Sequence, residues 1–331
     1  MQNADGKVAD AESLMNYRIA VVGSGAIGSY YGGKLAAAGL DVHFLVRGDV
    51  SEIRQKGLQI IGEGEDVHLA EVKCSNSTEE IGPCDLVLIA VKTISNPALP
   101  KLLPPLLHPG TLLLTLQNGL GNEELLAEHF GAERVLGGLC FICLTRTSRT
   151  RIERADHGHV SIGEFNRAPL PRTHDIVALF QAGGVNCRVV ENLGLERWRK
   201  LVWNIPFNGL SILAGEIDTA AILRDEQLHA ATLAVMEEVI DAARRCGYQL
   251  ETSTAAEQIN RTEAMGPYRP STLLDFQADR PLEIEAIWGE PLRRAQAAGA
   301  QAPRLQMLYS LLKSLDLVNH NPVTSPTSMI S

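Results

Sequence analysis

The stretch Ile19-Ala-Val-Val-Gly23-Ser24-Gly25-Ala26-Ile27-Gly28-Ser-Tyr30 decides how this chain is read. A continuous apolar run enters a G-x-G-x-x-G turn and leaves it as a helix ending near Leu35-Ala-Ala-Ala-Gly39. Such a run is the pattern of a parallel strand buried on both faces. Gly23 permits the tight bend, Gly25 lets the backbone approach a pyrophosphate, and Gly28 lets the helix lie close on its strand. The N–H groups and dipole at the helix start then face an anion. Gly23, Ser24, Gly25, Ala26, Ile27 and Gly28 are therefore the predicted phosphate cradle of a dinucleotide. The competing reading is a purely structural glycine turn, which the flanking strand and helix disfavour.

The next strand, Asp41-Val-His-Phe-Leu-Val46, ends in Arg47-Gly48. An NAD site places a carboxylate there to accept from the ribose hydroxyls. A guanidinium cannot accept such a bond, but it pairs in bidentate fashion with a 2′-phosphate. Arg47 thus points to NADP(H) rather than NAD, against the alternative of an ordinary solvated loop arginine.

Downstream, a Leu58-Gln-Ile-Ile run and a Val67-His-Leu-Ala-Glu-Val72 alternation flank Gly62 and Gly64, predicting a hairpin inserted into the sheet. Parallel order then resumes, with strands over 85–91 and 111–116 and helices over 97–107 and 122–130. Further strands are predicted over 135–144, 159–162 and 187–190, with a helix over 174–181. This alternation predicts an α/β fold, an open doubly wound sheet of Rossmann type over residues 17–190. Beyond residue 191 strand signals stop, and helical periodicity predicts an all-helical domain over 191–318. Its helices fall at 195–213, 227–246, 252–265, 273–278, 283–298 and 304–315. Pro291 predicts a break or kink after Gly289. Residues 1–16 and 319–331 are small, polar and Pro- or Ser-rich, and are expected to be flexible tails.

Composition removes several classes of function. The 331 residues are 45% hydrophobic and 21% charged, ordinary for a globular protein, and the net charge of −9 disfavours nucleic acid or an anionic membrane as partner. Arginines 146, 149, 151 and 154 sit among Thr, Ser and Glu and read as the solvated face of a hairpin. Six cysteines scattered along apolar segments suit buried thiols in a reducing cytosol, and the lone Cys140-Phe-Ile-Cys143 pair suits core packing. No membrane span or basic leader is apparent, so a cytoplasmic location is expected.

A reductase also needs a proton donor and an anchor for its substrate. In the first helix of the second domain, Lys200, Asn204 and Asn208 recur at i, i+4 and i+8, so they share one face amid apolar surface. Periodicity alone also allows Lys200 to be a surface lysine with a snorkelling stem. The chain has 8 lysines against 22 arginines, and a lysine kept beside tryptophans suggests that a titratable amine is needed. Pro206 in the same helix deprives the Val202 carbonyl of its partner and predicts a bend. Arg269-Pro270-Ser271-Thr-Leu-Leu-Asp275 reads as a helix start with Ser271 at or near the cap, which capping alone would explain. Glu283 likewise suits the dipole at the start of its helix.

In these residues the chain resembles the 2-dehydropantoate 2-reductase family, also called ketopantoate reductases, from about Tyr17 to Leu315. The matching pieces are the 23–28 turn, Val91-Lys92, Gln117-Asn118-Gly119 and Trp198-Arg-Lys200 with Asn204 and Asn208. Ser271-x-x-x-Asp275, Glu283-Ile-Glu285, Gly289 and Leu292-Arg-Arg-Ala complete the set. The resemblance implies NADPH-dependent reduction of the C2 ketone of 2-dehydropantoate to (R)-pantoate, a step of pantothenate synthesis. It implies Lys200 as general acid, with Glu283 setting its position and charge. Asn118, Asn204, Asn208 and Ser271 would hold substrate or cofactor, with Lys92 and Arg47 along the cofactor and no metal required.

Two positions depart from the family. Where it often carries asparagines, this chain has Tyr268 and Asp218, so another branched 2-oxo acid is a rival substrate. An NADP-sensing module without catalysis is a third reading, which Lys200 and Glu283 oppose. A homodimer is compatible with the apolar stripes of the helical half.

Overall fold

The computed structural model describes residues 16–62, 66–155 and 158–320. The expected tails up to residue 15 and from 321, and Gly64, lie outside the described residues. The chain forms two compact units that divide between Glu196 and Arg197.

Among the described residues, twelve strands build the first unit: β1 (Arg18–Val22), β2 (Asp41–Leu45), β3 (Leu58–Gly62), β4 (Val67–Leu69), β5 (Lys73–Ser75), β6 (Leu86–Ile89), β7 (Leu112–Thr115), β8 (Val135–Phe141), β9 (Leu144–Ser148), β10 (Arg151–Arg154), β11 (His159–Glu164) and β12 (Cys187–Val189). Eight of them form one sheet in the order β12-β11-β8-β7-β6-β1-β2-β5. All its neighbours are parallel except β8 and β11. The order turns back at β1 and β6, which makes their carboxyl ends the topological switch point where doubly wound sheets bind ligands.

The apolar run of β1 is explained by two cores. Ile19 and Val21 pack with Tyr31, Phe44 and Leu88 on one face, and Ala20 and Val22 with Val87, Ile89 and Leu113 on the other. With both faces covered, strand alternation gives no polar position, and each buried Val or Ile contributes about 1.5–3 kcal/mol. The expected α/β architecture is therefore present.

The first expectation to fail in this unit concerns the hairpin. The predicted hairpin is not inserted into the main sheet. β3 and β4 do pair antiparallel, but they join β9 and β10 in a separate four-stranded sheet, β4-β3-β10-β9. The helix Ala26–Ala37 explains this second layer. It is buried from Gly28 to Leu35, and its Gly33 lies so close to β3 that a Cβ would sit 2.8 Å from Ile60 Cδ1. Leu58, Ile60 and Ile152 thereby join the same core as the main sheet. The single strand expected over 135–144 is two, because the chain leaves the main sheet after Phe141 and enters the second at Leu144.

The helix expected over 97–107 is also broken. The 3₁₀ turn Thr93–Ala98, the short helix Leu99–Leu102 and the 3₁₀ turn Pro104–Leu106 replace it. Pro97, Pro100, Pro104 and Pro105 deny the backbone N–H groups that a continuous helix needs.

The second unit is helical: Leu193–Leu213, which begins just before the dividing point, then Thr219–Arg224, Glu226–Arg245, Thr254–Met265, Ser271–Gln277, Glu290–Ala297 and Pro303–His320. The helix Thr219–Arg224 was not expected. The last helix runs through Asn319 and His320, which were expected in the tail. Glu238 fixes the start of that helix by accepting from Arg304 N and Leu305 N at 2.9 and 3.1 Å. The break expected after Gly289 takes the form of a change of helix type ahead of Pro291. A π turn, Glu285–Gly289, precedes it, and the α-helix continues from Glu290. The wider turn accommodates the missing N–H opposite the Ile287 carbonyl. No helix among the described residues is long and apolar enough to cross a membrane.

Candidate active site

In the first unit the predicted residues gather at the carboxyl ends of β1, β2, β6 and β7. Gly23 has φ +107° and lies against the loop after β6, where a Cβ would stand 2.5 Å from Val91 N. A Cβ on Gly28 would stand 2.1 Å from the carbonyl oxygen of Gly23. Gly25 differs, because a Cβ there would meet nothing within 4 Å. It caps the helix Ala26–Ala37 without a side-chain bond, and the first turn holds no acidic residue. The turn is thus closed behind by its first and third glycines and open in front at the second. Ser24 donates its hydroxyl proton to Leu45 O at 2.8 Å, tying the turn to the end of β2.

Arg47, two residues beyond β2, is exposed and donates to Ser95 Oγ at 2.9 Å. Ser95 N in turn donates to Lys92 O at 2.9 Å, so the loops carrying Arg47 and Lys92 are joined. Lys92 is exposed at the head of the 3₁₀ turn after β6.

Behind these cations lies an amide network that sequence reasoning missed. Gln117 Nε2 donates to Val91 O at 2.9 Å and to Asn96 Oδ1 at 2.7 Å. Asn96 Nδ2 donates to Asn122 Oδ1, and Asn122 Nδ2 to Asn118 O, each at 2.9 Å. Gln117 and Asn122 are buried, so satisfying both ends of each amide makes the network a rigid support for half-buried Asn118. The available signal was the recurrence of amides immediately after two predicted strands.

In the second unit, Lys200, Asn204 and Asn208 stand on the helix Leu193–Leu213. Lys200 is half-buried, while Asn204 and Asn208 are 7% and 2% exposed. Asn208 Nδ2 donates to Asn204 O at 2.9 Å, and Asn208 Oδ1 accepts from Thr272 N at 3.2 Å. The second bond brings the asparagine face to the head of the helix Ser271–Gln277. It also bears on Ser271, which stands next to the cap at the helix start, as expected. Pro270 is the cap residue, Ser271 is the exposed first residue of the helix, and the orphan N–H that a serine cap would have taken goes to Asn208. Pro206 does not interrupt the long helix, and the preceding carbonyl, Ile205 O, accepts from Trp288 Nε1 at 3.0 Å.

Glu283 is buried just ahead of the π turn. That turn is held from outside through Glu285, which accepts from Lys313 Nζ, Tyr309 OH and Arg293 Nη1 at 2.8–2.9 Å. Although partial burial opposes it, these donors hold the Glu285 carboxyl down to about 2.

The two departures from the family have visible occupations. Asp218 caps the helix Thr219–Arg224, its Oδ1 accepting from Ala221 N at 2.8 Å. The next residue, Thr219, donates its N–H to Tyr268 O at 2.9 Å. The Tyr268 ring lies 5.9 Å from that of Trp203, which lies 5.0 Å from Phe207. Trp203 and Phe207 are one residue behind Asn204 and Asn208, so this aromatic group borders the asparagine face.

A glycine turn at the switch point of a doubly wound sheet, followed by a helical unit with a lysine and two buried amides on one face, defines the class: a Rossmann-type oxidoreductase. Comparison with known proteins narrows it. The model of the ketopantoate reductase PanE/ApbA family matches residues 19–167, and that of its C-terminal part matches 192–316. A 2-dehydropantoate 2-reductase of Nostoc sp. is 39% identical over 308 residues, covering 91% of this chain and 96% of the relative. The crystal structure of 2-dehydropantoate 2-reductase from Geobacter metallireducens is 42% identical with a TM-score of 0.87, covering 90% of this chain and 99% of that one. The corresponding structure from Methylococcus capsulatus is 31% identical with a TM-score of 0.85, covering 92% and 99%. This chain belongs to the ketopantoate reductase family.

Proposed function

We propose that the protein reduces the C2 ketone of 2-dehydropantoate to (R)-pantoate with NADPH, as a step of pantothenate synthesis. The observation that carries this reading is the Asn208 bridge, which joins the Lys200–Asn204–Asn208 face to the head of the Ser271 helix within a largely apolar unit. It agrees with the names of relatives that cover nine-tenths of this chain.

The residues fit the cofactor. Open space at Gly25, a first helical turn without acid, and an exposed Arg47 bonded to a hydroxyl rather than a carboxylate suit a pyrophosphate and a 2′-phosphate. The N–H groups of Ala26, Ile27 and Gly28 would hold the pyrophosphate, and Arg47 and Lys92 would meet the remaining phosphate charge. Ser24 would act through its backbone, its hydroxyl proton being committed to Leu45. When bound, the reduced dinucleotide supplies the hydride.

The remaining chemistry belongs to the second unit. As negative charge develops on the ketone oxygen, the Lys200 ammonium stabilises it and gives up its proton. Glu283, buried just ahead of the π turn, would set the position and charge of that amine. Asn204, Asn208 and Ser271 supply the donors and acceptors that a hydroxylated 2-oxo acid needs, while Asn118 of the first unit would meet the cofactor.

A second reading, reduction of another branched 2-oxo acid, is favoured by the aromatic group of Trp203, Phe207 and Tyr268 beside the asparagine face. NADPH-linked assays over a panel of 2-oxo acids separate the two. Amides that bind a substrate hydroxyl reject an analogue without it, so kcat/KM for 2-dehydropantoate is expected to exceed that for 2-oxoisovalerate by about a hundredfold or more. Equal values would transfer the assignment to the second reading.

A further inference from the structure

The second sheet carries two guanidinium groups for which the reduction has no use. Arg149, at the tip of the β9–β10 hairpin and 100 residues beyond Asp49, donates from Nη1 to Asp49 O at 3.2 Å. Asp49 lies two residues after Arg47, in the loop between β2 and the helix Ser51–Lys56. We propose that Arg149 is a positioning residue for cofactor selection, fixing this loop so that Arg47 stands where a ribose 2′-phosphate monoester binds. The inference rests on the reading of Arg47 as the 2′-phosphate contact.

The loop needs such a fixture. Gly48 has φ +74°, and a Cβ there would meet nothing within 4 Å, so local packing does not hold the turn. Three side-chain links hold it instead. Arg47 bonds Ser95, the Asp49 carboxylate accepts from Ser51 N and Oγ at 2.8 and 2.6 Å, and Arg149 holds the Asp49 carbonyl. Arg149 supplies the link that comes from another layer of the fold.

Its own base is firm. Gln59 N donates to Thr150 O at 2.7 Å, tying the hairpin tip to β3. Arg146 closes the tip by donating to Ser148 O and Arg149 O, each at 3.1 Å. Both arginines thus bond carbonyl oxygens, with the Asp49 and Glu52 carboxylates near enough to interact with them. Burial and the neighbouring Arg149 push the Arg146 guanidinium below its ordinary value, against the opposing pull of the Glu52 carboxylate. On this account the second sheet is a brace for cofactor choice.

Calorimetric titration of the full chain with 2′,5′-ADP and with 5′-AMP tests the proposal without turnover. Arg149→Met is expected to weaken 2′,5′-ADP about tenfold, a loss of ~1.4 kcal/mol, and to leave 5′-AMP unchanged. Arg149→Lys, which keeps a donor for the Asp49 carbonyl, should restore most of the loss. Arg47→Met provides the reference and should abolish the preference for the 2′-phosphate. A preference that collapses in Arg47→Met but survives intact in Arg149→Met overturns the inference alone. A preference that survives Arg47→Met overturns the reading of Arg47 and the inference with it.

Discussion

In the function proposed, the glycine turn and the lysine–asparagine face work by different physical means. At the turn, function is written in the backbone: Gly23 and Gly28 exclude any Cβ, Gly25 leaves space, and unpaired N–H groups remain. On the helix Leu193–Leu213, function is written in side chains that need partners from elsewhere, as Asn208 needs the N–H of Thr272 sixty-four residues further on. A site made of backbone tolerates no added atom, whereas a site made of amides tolerates isosteres and fails by losing partners.

That contrast breaks most severely at Gly28. A methyl group there meets a backbone oxygen that cannot move without reopening the turn. Gly28→Ala is expected to lose about 3 kcal/mol of stability, measured by denaturant unfolding, together with NADPH binding. Wild-type stability in this variant would show that the turn is not closed by contact. Asn208→Ala should cost less. It leaves the buried N–H of Thr272 without its partner and removes a second donor from the Asn204 carbonyl, so unfolding should show a loss of about 2 kcal/mol. NADPH affinity should hold while KM for the 2-oxo acid rises. A parallel fall in NADPH affinity would erase the distinction between the two regions.

The same contrast explains what could be read from sequence. The turn was legible because its constraint is local: strand, three glycines and helix follow within twelve residues of Ile19. The doubly wound sheet followed from apolar runs whose two faces are both buried. The second sheet was not legible as a separate layer, because β3 pairs in parallel with β10, and no local pattern links Gln59–Gly62 to Arg151–Arg154. Lys200, Asn204 and Asn208 could be placed on one face by period alone, but the bridge to the Ser271 helix could not, since it depends on tertiary packing. Asp218 shows the opposite case. A sequence comparison offers it as a departure near the substrate, and the structure gives its carboxylate to a helix cap that local reading could have found, an Asp three residues before Ala221.

The central claim concerns the amine of Lys200, and single-turnover kinetics of Lys200→Ala with NADPH and 2-dehydropantoate test it most directly. The reduction rate should fall about a thousandfold while NADPH binding, followed by nicotinamide fluorescence, stays at the wild-type value. A variant that binds NADPH and still reduces the ketone at the wild-type rate would contradict the account.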